Sequence, residues 1–90
     1  MSKAEHTKGP WAVNPTSAQV DAFVGVKPLP ICQLLWPTDE RTEAETEANA
    51  HLIAAAPDLL AALKRIVVVA DRATVEFDRA RAAIAKAEGR

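Results

Sequence analysis

The chain reads as an α+β fold: a small antiparallel β-sheet of two or three strands over about residues 11–36, then two α-helices at about 42–56 and 57–88. Three observations predict it. Between Trp11 and Trp36 apolar residues alternate with period two, the pattern of half-buried strands. After Trp36-Pro37 the apolar spacing lengthens to that of a helix. The 90 residues are 49% hydrophobic and 26% charged, which suits one globular domain over 1–90 and exceeds the apolar content of a disordered tail.

Residues 1–10 read as an extended N-terminal arm ending in Gly9-Pro10. Aromatic content is only 4%, so Trp11 and Trp36 are the expected anchors of the sheet. Trp11-Ala12-Val13 makes the first strand, before a turn at Asn14-Pro15-Thr16-Ser17. Val20, Ala22, Val24 and Val26 alternate with Asp21, Phe23 and Gly25 in the second. Ile31, Gln33 and Leu35 alternate with Cys32, Leu34 and Trp36 in the third, and Lys27-Pro28-Leu29-Pro30 is the expected hairpin connection.

Thr42 and Glu45 have the spacing of a capping box, and Glu43, Glu45 and Glu47 occupy early turns where the helix dipole favours negative charge. Ala44, Ala48, Leu52 and Ala55 form the apolar stripe of this first helix. Pro57 is expected to end it, because proline disfavours helical geometry at Ala56 and suits the first turn of a new helix. Beyond it, Leu59, Leu63, Ile66, Ala70, Ala73, Phe77, Ala80 and Ile84 recur with spacings 4-3-4-3-4-3-4, a heptad seam. At about 1.5 Å per residue such a helix runs roughly 45 Å against roughly 22 Å for the first, leaving the seam uncovered. The expectation is a homodimer joined as a coiled coil through Ile66, Ala70, Ala73, Phe77, Ala80 and Ile84.

Net charge is -1, so no global field draws a nucleic acid or an anionic membrane. The charge is segregated, with residues 39–58 carrying a net of -5 and residues 59–90 a net of +3. The acidic stretch offers Asp39, Glu40, Glu43 and Glu47 as partner-binding candidates. The basic residues near the C-terminus are interleaved with acids, as at Arg72 and Glu76, so direct nucleic-acid binding is not expected. No apolar run approaches the roughly 20 residues that span a bilayer, and the N-terminus has no apolar core of a signal peptide; a cytosolic protein is expected.

Catalytic chemistry finds no support in the residues. Ser2 and Ser17 lie in a tail and a turn without a glycine-flanked elbow. Cys32, the only cysteine, cannot form an intrachain disulfide and reads as a small apolar strand residue rather than a partner of His51. Two histidines and one cysteine show no metal-ligand spacing, and three glycines leave no phosphate-cradling loop. No catalytic, metal or cofactor site is expected, and the protein is not expected to be an enzyme.

Two segments carry a resemblance. His6-Thr7-Lys8-Gly9-Pro10-Trp11 resembles the HTPGPW opening of a group of small phage and prophage proteins, and Ala48 to Leu60 is similar to that group's ANARLIAAAPDLL signature. Together they cover 19 residues, with Lys8 where the group has proline and His51 where it has arginine. The resemblance implies an origin among phage accessory genes and structural roles for Trp11, Asn49, Pro57 and Asp58. Such genes often encode inhibitors of host machinery, so it implies a protein that binds and blocks a host protein complex in the bacterial cytoplasm, an anti-CRISPR or similar. The other readings are a dimeric nucleic-acid-associated regulator and a phage structural or assembly protein.

Overall fold

The computed structural model describes residues 5–14, 18–34, 42–70 and 73–90. Strands β1 (Trp11–Asn14), β2 (Gln19–Val24) and β3 (Lys27–Gln33) precede helices α1 (Glu43–Ala70) and α2 (Val75–Ala87), an α+β fold. The strands form one antiparallel sheet in the order β1-β2-β3. Contacts group the chain into two compact units, His6–Pro57 and Asp58–Arg90, the second taking in residues 1–5 as well. Trp36 lies outside the described residues.

In the first unit β2 is the central strand. Val20 pairs with Val13 and Cys32, and Ala22 pairs with Trp11 and Leu29, so these six residues share one face. Val20 and Ala22 are fully buried there. The opposite face holds Asp21, also buried, whose Oδ1 accepts a hydrogen bond from Gln19 Nε2 at 2.6 Å. Gln19 stands two residues away on the same face, so the strand supplies the carboxylate with a donor of its own.

The hairpin turn differs from the expected one. Gly25-Val26 make the turn, and Lys27-Pro28-Leu29-Pro30 belong to β3. Gly25 has φ +80, which glycine adopts without steric penalty, and the positive φ falls on the first loop residue only, as in a type II′ turn. The prolines fit because β3 is an edge strand. Phe23 N–H donates to Pro10 O at 3.0 Å, so the backbone of Phe23, and of Asp21 two residues before it, turns toward β1. Their β3 partners Pro28 and Pro30 therefore direct their ring nitrogens outward, where no ladder bond is lost. A bulge between Val20 and Asp21 leaves Ile31 as the extra residue on β3.

Helix α1 starts as its cap predicts: Thr42 Oγ1 accepts from Glu45 N–H at 3.1 Å. It then runs without interruption through Pro57, contrary to the expected break. Proline inside a helix costs about 3 kcal/mol, but Ala54-Ala55-Ala56 and Leu59-Leu60-Ala61-Ala62-Leu63 on either side are among the strongest helix formers. The chain leaves the helix at Ala70, directly after the β-branched run Ile66-Val67-Val68-Val69, whose stiff side chains fit a helix poorly. The first helix is therefore the longer, at 28 residues against 13.

The buried face of α1 also differs from the expected stripe. Ala44, Ala48 and Leu52 are exposed and only Ala55 of that stripe is half-buried, whereas Thr46 and Ala50 are buried and Ile53, Ala54 and Pro57 half-buried. Small residues admit close approach, and Thr46 carries its hydroxyl inside at no loss because Oγ1 donates to Thr42 O at 3.1 Å.

In the second unit Thr74 caps α2, its Oγ1 accepting from Phe77 N–H at 3.3 Å, with Glu76 and Asp78 in the first turn. At the other end Gly89 N–H donates to Lys86 O and Arg90 N–H to Ala85 O, a Schellman arrangement with Gly89 at φ +73. Ile84 is buried on a stripe with half-buried Phe77, Ala80, Arg81 and Ala85. Lys64 of α1 donates to Glu88 Oε2 at 2.8 Å, bringing the end of α2 back to α1. The Lys64 hydrogen bond first, and that of Arg90 at 2.7 Å second, hold the Glu88 carboxyl below the usual carboxylate range.

Two outcomes are expected. Thr74→Ala removes the α2 cap and should cost about 1 kcal/mol in chemical denaturation, with Thr74→Asp restoring most of it. Because the pKa of Glu88 is lowered in the fold, its stabilisation is present above the ordinary carboxylate pKa and lost as pH falls through the folded value. Glu88→Gln should therefore lower the melting temperature at pH 7 and leave it unchanged at about pH 2, where both side chains are neutral.

Candidate functional site

The structure presents surfaces, and three of them hold the residues that the sequence singles out. The first is the junction of the arm with the sheet. Trp11 opens β1 half-buried, and its Nε1 donates to Thr7 O at 3.1 Å, so the arm folds back on the indole. His6 stands edge-on to the indole, with ring centroids 6.0 Å apart and planes at 85°, and its Nδ1 lies 2.8 Å from Thr7 O. The Gly9–Pro10 peptide is cis. A Cβ on Gly9 would stand 3.9 Å from Pro57 Cβ, an ordinary contact distance, so the arm passes directly over the proline of α1. The two sequence segments that carry the phage resemblance thus meet in space. Asn49 and Asp58 are exposed on α1, while Pro57 is half-buried.

The second surface is the N-terminal end of α1. Glu43 and Glu47 are exposed one turn apart, with Glu45 exposed between them. Glu47 Oε1 approaches His51 Nε2 at 3.8 Å across the next turn, both side chains open to solvent. Asp39 and Glu40 lie outside the described residues, so this acidic surface is placed only from Glu43 onward.

The third is the heptad seam, which the structure divides. Ile66 and Ala70 lie exposed on α1, Ala73 lies in the connection, and Phe77, Ala80 and Ile84 lie on α2. One helix carrying a continuous seam from 66 to 84 is thereby ruled out, and the coiled-coil geometry expected for it with it. Ile84, expected to lose exposure only on assembly, is already buried within the chain. The reason is the stop at Ala70 followed by the Thr74 cap: helical phase is lost across the connection, so a spacing that is regular in sequence no longer marks one face.

Among the described residues no group of three or more His, Cys, Asp or Glu side chains comes together as a metal site, and no helix is long and apolar enough to cross a membrane. Cys32 is a free, half-buried thiol on β3. Sequence reasoning missed the pair of half-buried Gln19 and buried Asp21, and its only signal is the i, i+2 spacing of two polar residues in a strand. It also missed Thr46, whose sole mark is its place four residues after the cap Thr42.

Fold and surfaces together define a small α+β protein that presents exposed helix faces. The chain belongs to the family of Salmonella phage P22 protein Y8K6, whose family model matches residues 1–90. It is a small protein of a phage family. No curated protein and no solved structure matches it.

Trp11→Ala should lower stability by about 2 kcal/mol, below the figure for a fully buried tryptophan because the indole is only half-buried. His6→Ala, on the exposed side of the same ring contact, should change it by less than about 0.5 kcal/mol. Denaturant midpoints of the two variants check both values.

Proposed function

We propose that this protein is a non-enzymatic, phage-encoded inhibitor that binds and blocks a protein complex of the bacterial host, an anti-CRISPR or a similar inhibitor of host defence acting in the cytoplasm. The observation that carries the reading is the exposed acidic end of α1, where Glu43, Glu45 and Glu47 crowd the first two turns. In the sequence Asp39 and Glu40 stand just before them. Host defence complexes that hold nucleic acid do so in positively charged channels, and an acidic helix end complements such a surface. With a net charge of -1 the field is local, so the patch serves as a docking contact and does not mimic a nucleic acid as a whole. Membership in a phage family supports the same reading.

Expression in a host with active CRISPR immunity tests it. The wild-type protein should restore plaque formation by a targeted phage, and the double substitution Glu43→Lys with Glu47→Lys should abolish the effect without lowering the melting temperature. Tagged protein should retain a stoichiometric host partner after nuclease treatment. A nuclease-sensitive partner, or full activity of the double variant, would overturn the reading.

A further inference from the structure

The helix that passes Pro57 without breaking changes what its apolar residues mean. The stripe expected on a first helix and the seam expected on a second join on one helix, where Leu52, Ala55, Leu59, Ala62, Ile66 and Val69 recur at 3-4-3-4-3. That is a strict heptad series about 26 Å long. The fold leaves its large residues open: Leu52 is 64% exposed, Leu59 54%, Ile66 55% and Val69 81%, with Ala62 exposed and Ala55 half-buried between them. The buried and half-buried positions Thr46, Ala50, Ile53, Pro57, Leu60 and Val67 follow a different line along the helix, with Ala54, Ala55 and Leu63 also half-buried beside it. Large side chains at coiled-coil spacing on a solvent face mark an interface, since a surface helix has no reason to repeat them at 3.5 residues.

We propose that the occupant of this face is the α1 helix of a second copy of the chain, packed antiparallel. Side-chain size is the first argument. In a parallel pair each residue meets its own copy, so Ala55 and Ala62 would face alanines and leave two thin layers. In the antiparallel register that pairs positions adding to 121, Leu59 meets Ala62, Ile66 meets Ala55 and Leu52 meets Val69 of the partner subunit. Large residues then fill the space above small ones. Charge is the second argument. Asp58 and Arg65 flank the stripe on the same side, seven residues apart and both exposed. A parallel pair brings those positions to Leu63 and Ala70, whereas the antiparallel register sets Asp58 against Arg65 of the partner subunit, twice by symmetry. One register satisfies size and charge together, and a foreign partner would require neither. This association does not depend on the identity of any host target.

Sedimentation equilibrium of the purified protein, from about 5 to 500 µM, reads the outcome. Wild type should form a dimer within this range, and Ile66→Glu should remain monomeric throughout it. Asp58→Arg and Arg65→Asp should each weaken the dimer about tenfold, because two symmetric pairs turn from attraction to repulsion. The double variant, Asp58→Arg with Arg65→Asp, should return to within about threefold of wild type. All three positions are exposed, and circular dichroism checks that each variant keeps its fold. Should Ile66→Glu fail to fold, the charge-reversal set decides alone. A wild-type monomer at every concentration would leave the stripe to a different protein and overturn the proposal. So would a dimer that survives Ile66→Glu, or a double variant no tighter than its single parents.

Discussion

Everything in the helical part of this protein follows from one constraint, the persistence of α1 through Pro57. A proline has no N–H to give the carbonyl of Ile53 and crowds the preceding turn. The helix tolerates this because alanine and leucine dominate both flanks, and because Pro57 is half-buried with the arm at Gly9 beside it. Had the chain broken there, the apolar residues before and after it would have belonged to two faces with no common phase. Because it does not break, they lie on one helix, and a second helix starts afresh at the Thr74 cap. The β-branched run at 66–69 and the Thr74 hydroxyl then supply together what the proline does not: a weak end to one helix and a strong start to the next.

The sheet was legible in its period and less so in its ends. Alternation from Val20 to Val24 identified the central strand and its inward face correctly, because burial of Val20 and Ala22 is what alternation encodes. The hairpin was displaced by two residues because proline is read as a turn signal, while Pro28 and Pro30 satisfy a different rule, that of an edge strand with its nitrogens outward. Thr42 was legible as a helix start because capping depends on local chemistry alone. The helix break was not, because local penalties at Pro57 and at 66–69 had to be weighed against each other. The face of α1 was misread for a further reason: in an alanine-rich helix, hydrophobicity hardly distinguishes one side from another. Burial falls on the small residues Thr46 and Ala50 and leaves Leu52 exposed.

Of the candidate surfaces, the arm–helix junction joins the two segments that carry the resemblance. The opening segment and the helix segment are nearly forty residues apart along the chain, yet Gly9 and Pro57 are neighbours. The carbonyl of Thr7 on the indole of Trp11, and that of Pro10 on the backbone of Phe23, tie the same short arm to the sheet. Residues that look unrelated in sequence therefore serve a single joint. Glu43 and Glu47, by contrast, owe their place only to the helix start, and the sequence located them without any tertiary information.

The edge made by β3 carries a consequence for how two copies of the chain can meet. Pro28 and Pro30 give that edge no amide hydrogen at two of its outward positions, and the bulge at Ile31 bends it further on. A strand from a neighbouring molecule that came to rest there would find carbonyls without the donors that make a ladder. Sheet growth on that side stops at three strands, so the edge opposes polymerisation of copies strand upon strand.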